Sequence, residues 1–196
     1  MDRLLKTLAM AYQYPSPGST RALWEQVNDL PHSSSKTLLE HFLQSISELK
    51  LAEREELHTR TLDLTPLTAP NVGYAVYGED YRRGRFMAEL NSAYREWGID
   101  CANEIPDHLI PVLRYLSVVE EPLPELLQLL QPALVQIHHT LKTLEPKNPY
   151  LWLIEATLEA VKPLTRSAVA SVQSRQLPLA MGSLLRNLSF WKGGNE

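Results

Sequence analysis

The spacing of apolar positions is helical along most of the chain. Leu4, Leu5, Leu8 and Ala11 or Tyr12 recur at intervals of three and four residues, which places them on one face of an α-helix. That stripe stops at Tyr14-Pro15-Ser16-Pro17-Gly18, a run that punctuates rather than continues a helix. Leu23, Trp24 and Val27 mark a second short helix, ended by Pro31. Ser33-Ser34-Ser35 offers N-caps to a third, which carries Leu38, Leu39, Phe42, Ile46 and Leu49. A polar helix over residues 53–62 closes at Thr65-Pro66, and residues 67–77, which contain Pro70 and Gly73, stay ambiguous.

The second half is clearer. Glu79 and Asp80 stand where a helix dipole favours acids, Phe86, Leu90, Ala93 or Tyr94 and Trp97 line one face, and Gly98 supplies a left-handed stop. A helix bearing Val112, Leu113, Leu116 and Val119 follows. Pro122 and Pro124 open a long one, with Leu126, Leu130, Leu134, Ile137, Leu141 and Leu144 on its buried side. Pro146 and Pro149 interrupt it, and residues 150–161 form one more. No alternating stretch of β-branched residues is long enough for a strand. The pattern predicts an all-α, single-domain helical bundle of about seven to nine helices over residues 1–163, with 164–196 as a tail. That tail is either a last helix docked on the bundle or an apolar segment, Leu177 to Trp191, for a partner or a second copy of the chain, so a homodimer is one option.

Composition narrows the function. Hydrophobic residues make up 44% and charged residues 21%, an ordinary globular balance. The net charge of −4 leaves no basic surface to neutralise phosphates, so nucleic acid is not an expected partner. Cys101 is the only cysteine, which excludes an intrachain disulfide and a thiolate zinc site. The N-terminal apolar run is too short and interrupted to span a membrane and lacks a small-residue cleavage site, so the expected compartment is the cytoplasm.

Catalytic signatures are missing. There is no Gly-rich phosphate loop, no nucleophile elbow and no His-Glu-x-x-His. His138 and His139 are neighbours on a helix, diverge by about 100°, and do not face one metal. His32, His41 and His58 lie on polar segments and read as surface residues. The adjacent pair Asp107-His108 remains. Pro106 and Pro111 both fit a helix start, which places that start near Asp107, whose carboxylate complements the free N–H groups. A cation is disfavoured there, so His108 is expected to be neutral or held by Glu104 or Asp107.

Asp63, then Gly78-Glu79-Asp80-Tyr81-Arg82-Arg83-Gly84, then Leu90, Tyr94 and Gly98, then Glu104-Ile105-Pro106-Asp107-His108-Leu109 form an ordered set. In this order the chain resembles the nitrate reductase delta-subunit family, the NarJ-like molybdenum-cofactor assembly chaperones, and the wider group of TorD- and DmsD-like redox-enzyme maturation proteins. The likeness is dense from residue 59 to 116, with a weaker echo where the first helix runs into Tyr14-Pro15. It departs at Leu62, where the family often has Phe before the aspartate, and the tail after Pro163 matches nothing.

The resemblance implies a protein that is all-α and not an enzyme. Such a protein binds the N-terminal segment of the apo catalytic subunit of a molybdoenzyme, most closely a respiratory nitrate reductase, in the cytoplasm. It holds that client until the molybdenum cofactor is inserted and keeps no cofactor or metal itself. The client-binding residues implied are Glu79, Arg83, Tyr94, Glu104, Asp107, His108 and Tyr115. Phe86, Leu90, Trp97, Val112 and Tyr115 would wall an apolar groove, and Glu79, Asp80, Glu104 and Asp107 would meet basic client residues at its rim. Plain core filling and helix-dipole compensation explain the same residues without a client. Arg82 and Arg83 have Asp63, Glu79 or Asp107 as pairing options, and Gly84 suggests a close backbone approach or a later helix start. The competing readings are a general helical scaffold or regulator, and a small helical enzyme using Asp107 and His108 as acid and base.

Overall fold

The structure, a computed structural model, describes residues 2–101 and 103–175, with backbone alone from 166 to 175. Among the described residues the elements are α1 (Arg3–Ala11), α2 (Ser19–Asn28), α3 (Ser34–Ser47), α4 (Leu51–His58), a π-helical turn (Thr59–Asp63), α5 (Val72–Tyr77), α6 (Tyr81–Trp97), α7 (Leu109–Leu116), α8 (Pro124–Leu144) and α9 (Tyr150–Arg175), with no strand. The chain is an all-α, single-domain bundle. The expected tail residues 176–196 lie outside the described residues.

Local chemistry sets most helix starts. Asp2 accepts from Leu5 N, Ser33 from Lys36 N and Asp80 from Arg82 N, each satisfying an amide that the first turn leaves free. Gly98 ends α6 at φ 63°, a conformation that penalises a Cβ. Lys36 is buried, and its ammonium donates to Asn28 O and Leu30 O at the C-terminal end of α2, where a cation is favoured.

The apolar faces then meet. α9 packs on α3 and α8, α1 on α7 and α9, and α5 on α8. Leu8, Leu39, Phe86, Leu130 and Leu153 are fully enclosed, each contributing about 1.5–3 kcal/mol by leaving water. Hydroxyls that enter the core are paired: Tyr12 Oη and Thr157 Oγ1 are 3.0 Å apart, and Ser35 Oγ donates to Ala156 O at 2.7 Å.

Several expectations change. Trp97 and Leu144, assigned to buried faces, are 47% and 59% exposed because each is the last residue of its helix. The ambiguous stretch holds α5, and the polar helix turns π-helical after His58. His58 is buried, not a surface residue. The helix placed over residues 150–161 runs on through Pro163, whose missing N–H removes one intrahelical bond without ending α9. At Gly84 a Cβ would meet nothing within 4 Å and α6 already spans it, so neither reason offered for that glycine holds.

Candidate functional site

The Pro-Asp-His corner is a buried brace. Asp107 is fully enclosed, and its Oδ2 accepts from Arg83 Nε at 2.9 Å and Tyr74 N at 3.2 Å while Oδ1 accepts from Arg83 Nη2 at 3.2 Å. Of the three partners open to Arg83, Asp107 is the one it takes, as a two-bond fork. The guanidinium also lies over the Tyr74 ring, 5.1 Å from its centroid. Arg82 pairs with Asp80 instead.

The backbone makes a second clasp. Val72 N donates to Asp107 O and Leu109 N to Pro70 O, both at 2.8 Å, around an antiparallel bridge between Asn71 and His108. α5 and α7 are thereby tied at their starts. Gly73 fits this closeness: a Cβ there would stand 2.7 Å from Asp107 Oδ2 and 3.1 Å from Phe86 Cδ1. Tyr94 Oη donates to Pro106 O at 2.8 Å, and its ring packs on Tyr115 with centroids 5.5 Å apart.

The helix cap is His108, not Asp107. His108 Nδ1 accepts from Ile110 N at 3.2 Å, so the imidazole proton sits on Nε2, 4.0 Å from Glu104 Oε2. Burial pulls the imidazole down to about 4, against the opposing charge of Asp107 and with a smaller push from His58, so His108 is neutral at pH 7. Asp107 and His108 therefore serve different partners, and no hydrogen bond joins their side chains among the described residues.

The implied site residues separate into two groups. Asp107, His108, Tyr94 and Tyr115 are buried, so they do not present side chains at a surface, and Arg83 is spent on Asp107. Phe86, Leu90 and Val112 are core, not the walls of an open groove. Glu79 and Glu104 are exposed. Partial burial, and then the charge of Asp63, raise the Glu104 carboxyl.

That turn organises what the sequence did not announce. His58 Nδ1 lies 2.9 Å from Tyr150 Oη, Tyr14 stands edge-on to the imidazole with centroids 5.2 Å apart, and Nε2 is 4.0 Å from Asp63 Oδ1. Burial lowers the His58 pKa, opposed by Asp63, and raises that of the Tyr150 phenol. A π-turn inserts an extra residue into a helical ladder and often marks a working part of a protein. Just outside it lies an open depression of about 400 Å³ lined by Tyr14, Glu55, Glu56, Thr59, Arg60 and Leu64. Leu64 is 72% and Tyr14 54% exposed. Arg60 there is matched by Glu56 at 3.6 Å and Glu145 at 3.3 Å, so the net charge of the lip is negative. The sequence signal for this surface was apolar Leu64 and Leu67 inside an otherwise polar, Pro-bearing loop.

Burial raises the Cys101 thiol, the opposite of what activates a thiolate. His138 Nε2 meets Glu155 Oε1 at 2.8 Å and does not act with exposed His139. Among the described residues, no group of three or more His, Cys, Asp or Glu could hold a metal, and no helix is long and apolar enough to cross a membrane. No protein-family model matches this sequence, and no curated protein matches it at a significant level.

Proposed function

We propose that this protein is an assembly chaperone that holds a segment of a molybdoenzyme catalytic subunit, in the cytoplasm, before the molybdenum cofactor is inserted there. The observation that carries the reading is the acid-lipped apolar surface at the π-helical turn: exposed Tyr14 and Leu64 with Glu55 and Glu56 beside them, and Asp63 of the same turn next to His58, its charge acting on Glu104. A client segment with apolar residues on one side and basic residues on the other complements such a surface. The resemblance of the Glu104-to-Leu109 stretch names the class of client, with a nitrate reductase first. In this reading the Pro-Asp-His corner acts by fixing Glu104 and the α5–α7 junction and does not touch the client. The separate commitments of Asp107 and His108 weigh against the acid–base alternative.

Titration calorimetry with synthetic N-terminal peptides of molybdoenzyme catalytic subunits tests this. A nitrate reductase peptide is expected to bind, less tightly as salt rises, and to lose about tenfold or more in affinity with Leu64→Ser or with Asp63→Asn plus Glu104→Gln. Lack of binding by every such peptide, or affinity indifferent to these exposed substitutions, overturns the proposal.

A further inference from the structure

On the inner side of Tyr14 a separate cavity of about 200 Å³ opens between the end of α1 and helices α2, α3 and α4. Its body is apolar, formed by Met10, Leu23, Phe42, Ile46 and Leu57, with the Tyr150 ring beside them. A cavity of about 150 Å³ with such walls holds a benzene molecule, so this one takes a single ring or a short branched chain.

One lining residue does not belong to an apolar wall. Arg54 reaches the cavity from α4; its Nη1 donates to Thr20 Oγ1, and its Nε is buried with no hydrogen-bond partner. Among the described residues it pairs with no carboxylate. Its neighbour Glu53 accepts from Lys50 N at 2.6 Å, and Glu55 lines the depression beyond Tyr14. Arg83 shows the contrast, since there the chain supplies a buried carboxylate to a half-buried guanidinium. A guanidinium is always charged and carries five donors, so burying its Nε with neither an acceptor nor a counter-charge is costly. In a chain with 23 acids against 19 basic residues, the missing partner is not explained by scarcity of acids.

We propose that this cavity binds a compact apolar monocarboxylate, with its body against Leu23, Phe42 and Leu57 and its anionic end on the Arg54 guanidinium. The size of the cavity sets the body, and the unmatched charge sets the head group. Tyr14 stands between this cavity and the outer depression, but Arg54, Leu23, Phe42 and Leu57 do not line the depression, so the proposal is tested without it.

Phenylacetate and its neutral counterpart phenylacetamide, titrated into the full chain and followed by ligand-observed NMR, provide the test. Phenylacetate is expected to bind about tenfold or more tightly than the amide, and acetate, which lacks the body, not to compete with it. Arg54→Gln should bring phenylacetate to the level of the amide and leave the amide unchanged. Ala22→Trp, at an exposed lining position, should remove binding of both while leaving Arg54 in place. A circular-dichroism melt reports whether each variant folds, and the comparison of acid with amide on the wild-type chain needs no variant. No binding of phenylacetate at millimolar concentration, equal binding of acid and amide, full competition by acetate, or binding that survives Ala22→Trp would each overturn the assignment.

Discussion

Replacing Asp107 by Asn leaves shape and volume nearly unchanged and reverses part of the hydrogen-bonding pattern. The carboxylate accepts three N–H bonds, two on Oδ2 and one on Oδ1. An amide oxygen placed at Oδ2 keeps the Tyr74 and Arg83 Nε bonds without the charge, but its NH2 then faces the Arg83 Nη2 donor. Asp107 is wholly buried and Arg83 is 17% exposed at its side chain, so water reaches only one end of the pair. Breaking a buried pair from one side costs about 3–5 kcal/mol, and the partial exposure of Arg83 favours the lower half of that range. Domains of ordinary stability hold about 5–15 kcal/mol, so Asp107→Asn is expected to remove a large share. Urea denaturation should show the midpoint falling at unchanged slope, and a thermal melt should drop by roughly 6–16 °C. Arg83→Met in a double-mutant cycle should add little once Asp107→Asn is present. A loss below about 1 kcal/mol, or single effects that sum without coupling, would refute the claim that this pair braces α5, α6 and α7.

Gly73→Ala, which in an ordinary helix gains about 0.5–1 kcal/mol, is expected here to destabilise by about 1–3 kcal/mol because the new methyl lands on Asp107 and Phe86; chemical denaturation reads the sign directly. Burial holds the folded His108 pKa below its unfolded value of 6.5, so the unfolded chain binds the extra proton and stability falls as pH drops from about 7 towards 4. The shift corresponds to roughly 3 kcal/mol, His58 acts in the same direction, and His108→Asn, which keeps an N-cap acceptor for Ile110 N, should flatten the stability profile across that window. Tyr94→Phe removes the bond to Pro106 O and should cost about 0.5–1.5 kcal/mol by the same denaturation assay, leaving the ring packing on Tyr115 in place.

Where apolar spacing was regular, the helices could be read directly: the stripes of α1, α3 and α8, the serine run that caps α3, the acids at the start of α6 and the Gly98 stop are local effects of neighbouring residues. The π-helical turn was not legible, because a shift from four- to five-residue bonding leaves no mark on the order of apolar and polar residues. His58 looked solvated because its sequence neighbours are charged, while the group that buries and bonds it, Tyr150, lies 92 residues away. Intrinsic capping preference favours Asp over His at a helix entrance, so the exchange of roles at Asp107 and His108 followed only once Arg83 was known to claim the carboxylate. The Arg54 cavity draws on five helices and leaves no local pattern at all.

The enclosure of Asp107 has a practical consequence for experiments on living cells. A substitution there changes how many molecules are intact at a given temperature before it changes anything those molecules recognise, and proteases thin the remainder. A lost phenotype in such a mutant therefore measures abundance. Affinity should be compared per native molecule, at a temperature where both chains are still assembled.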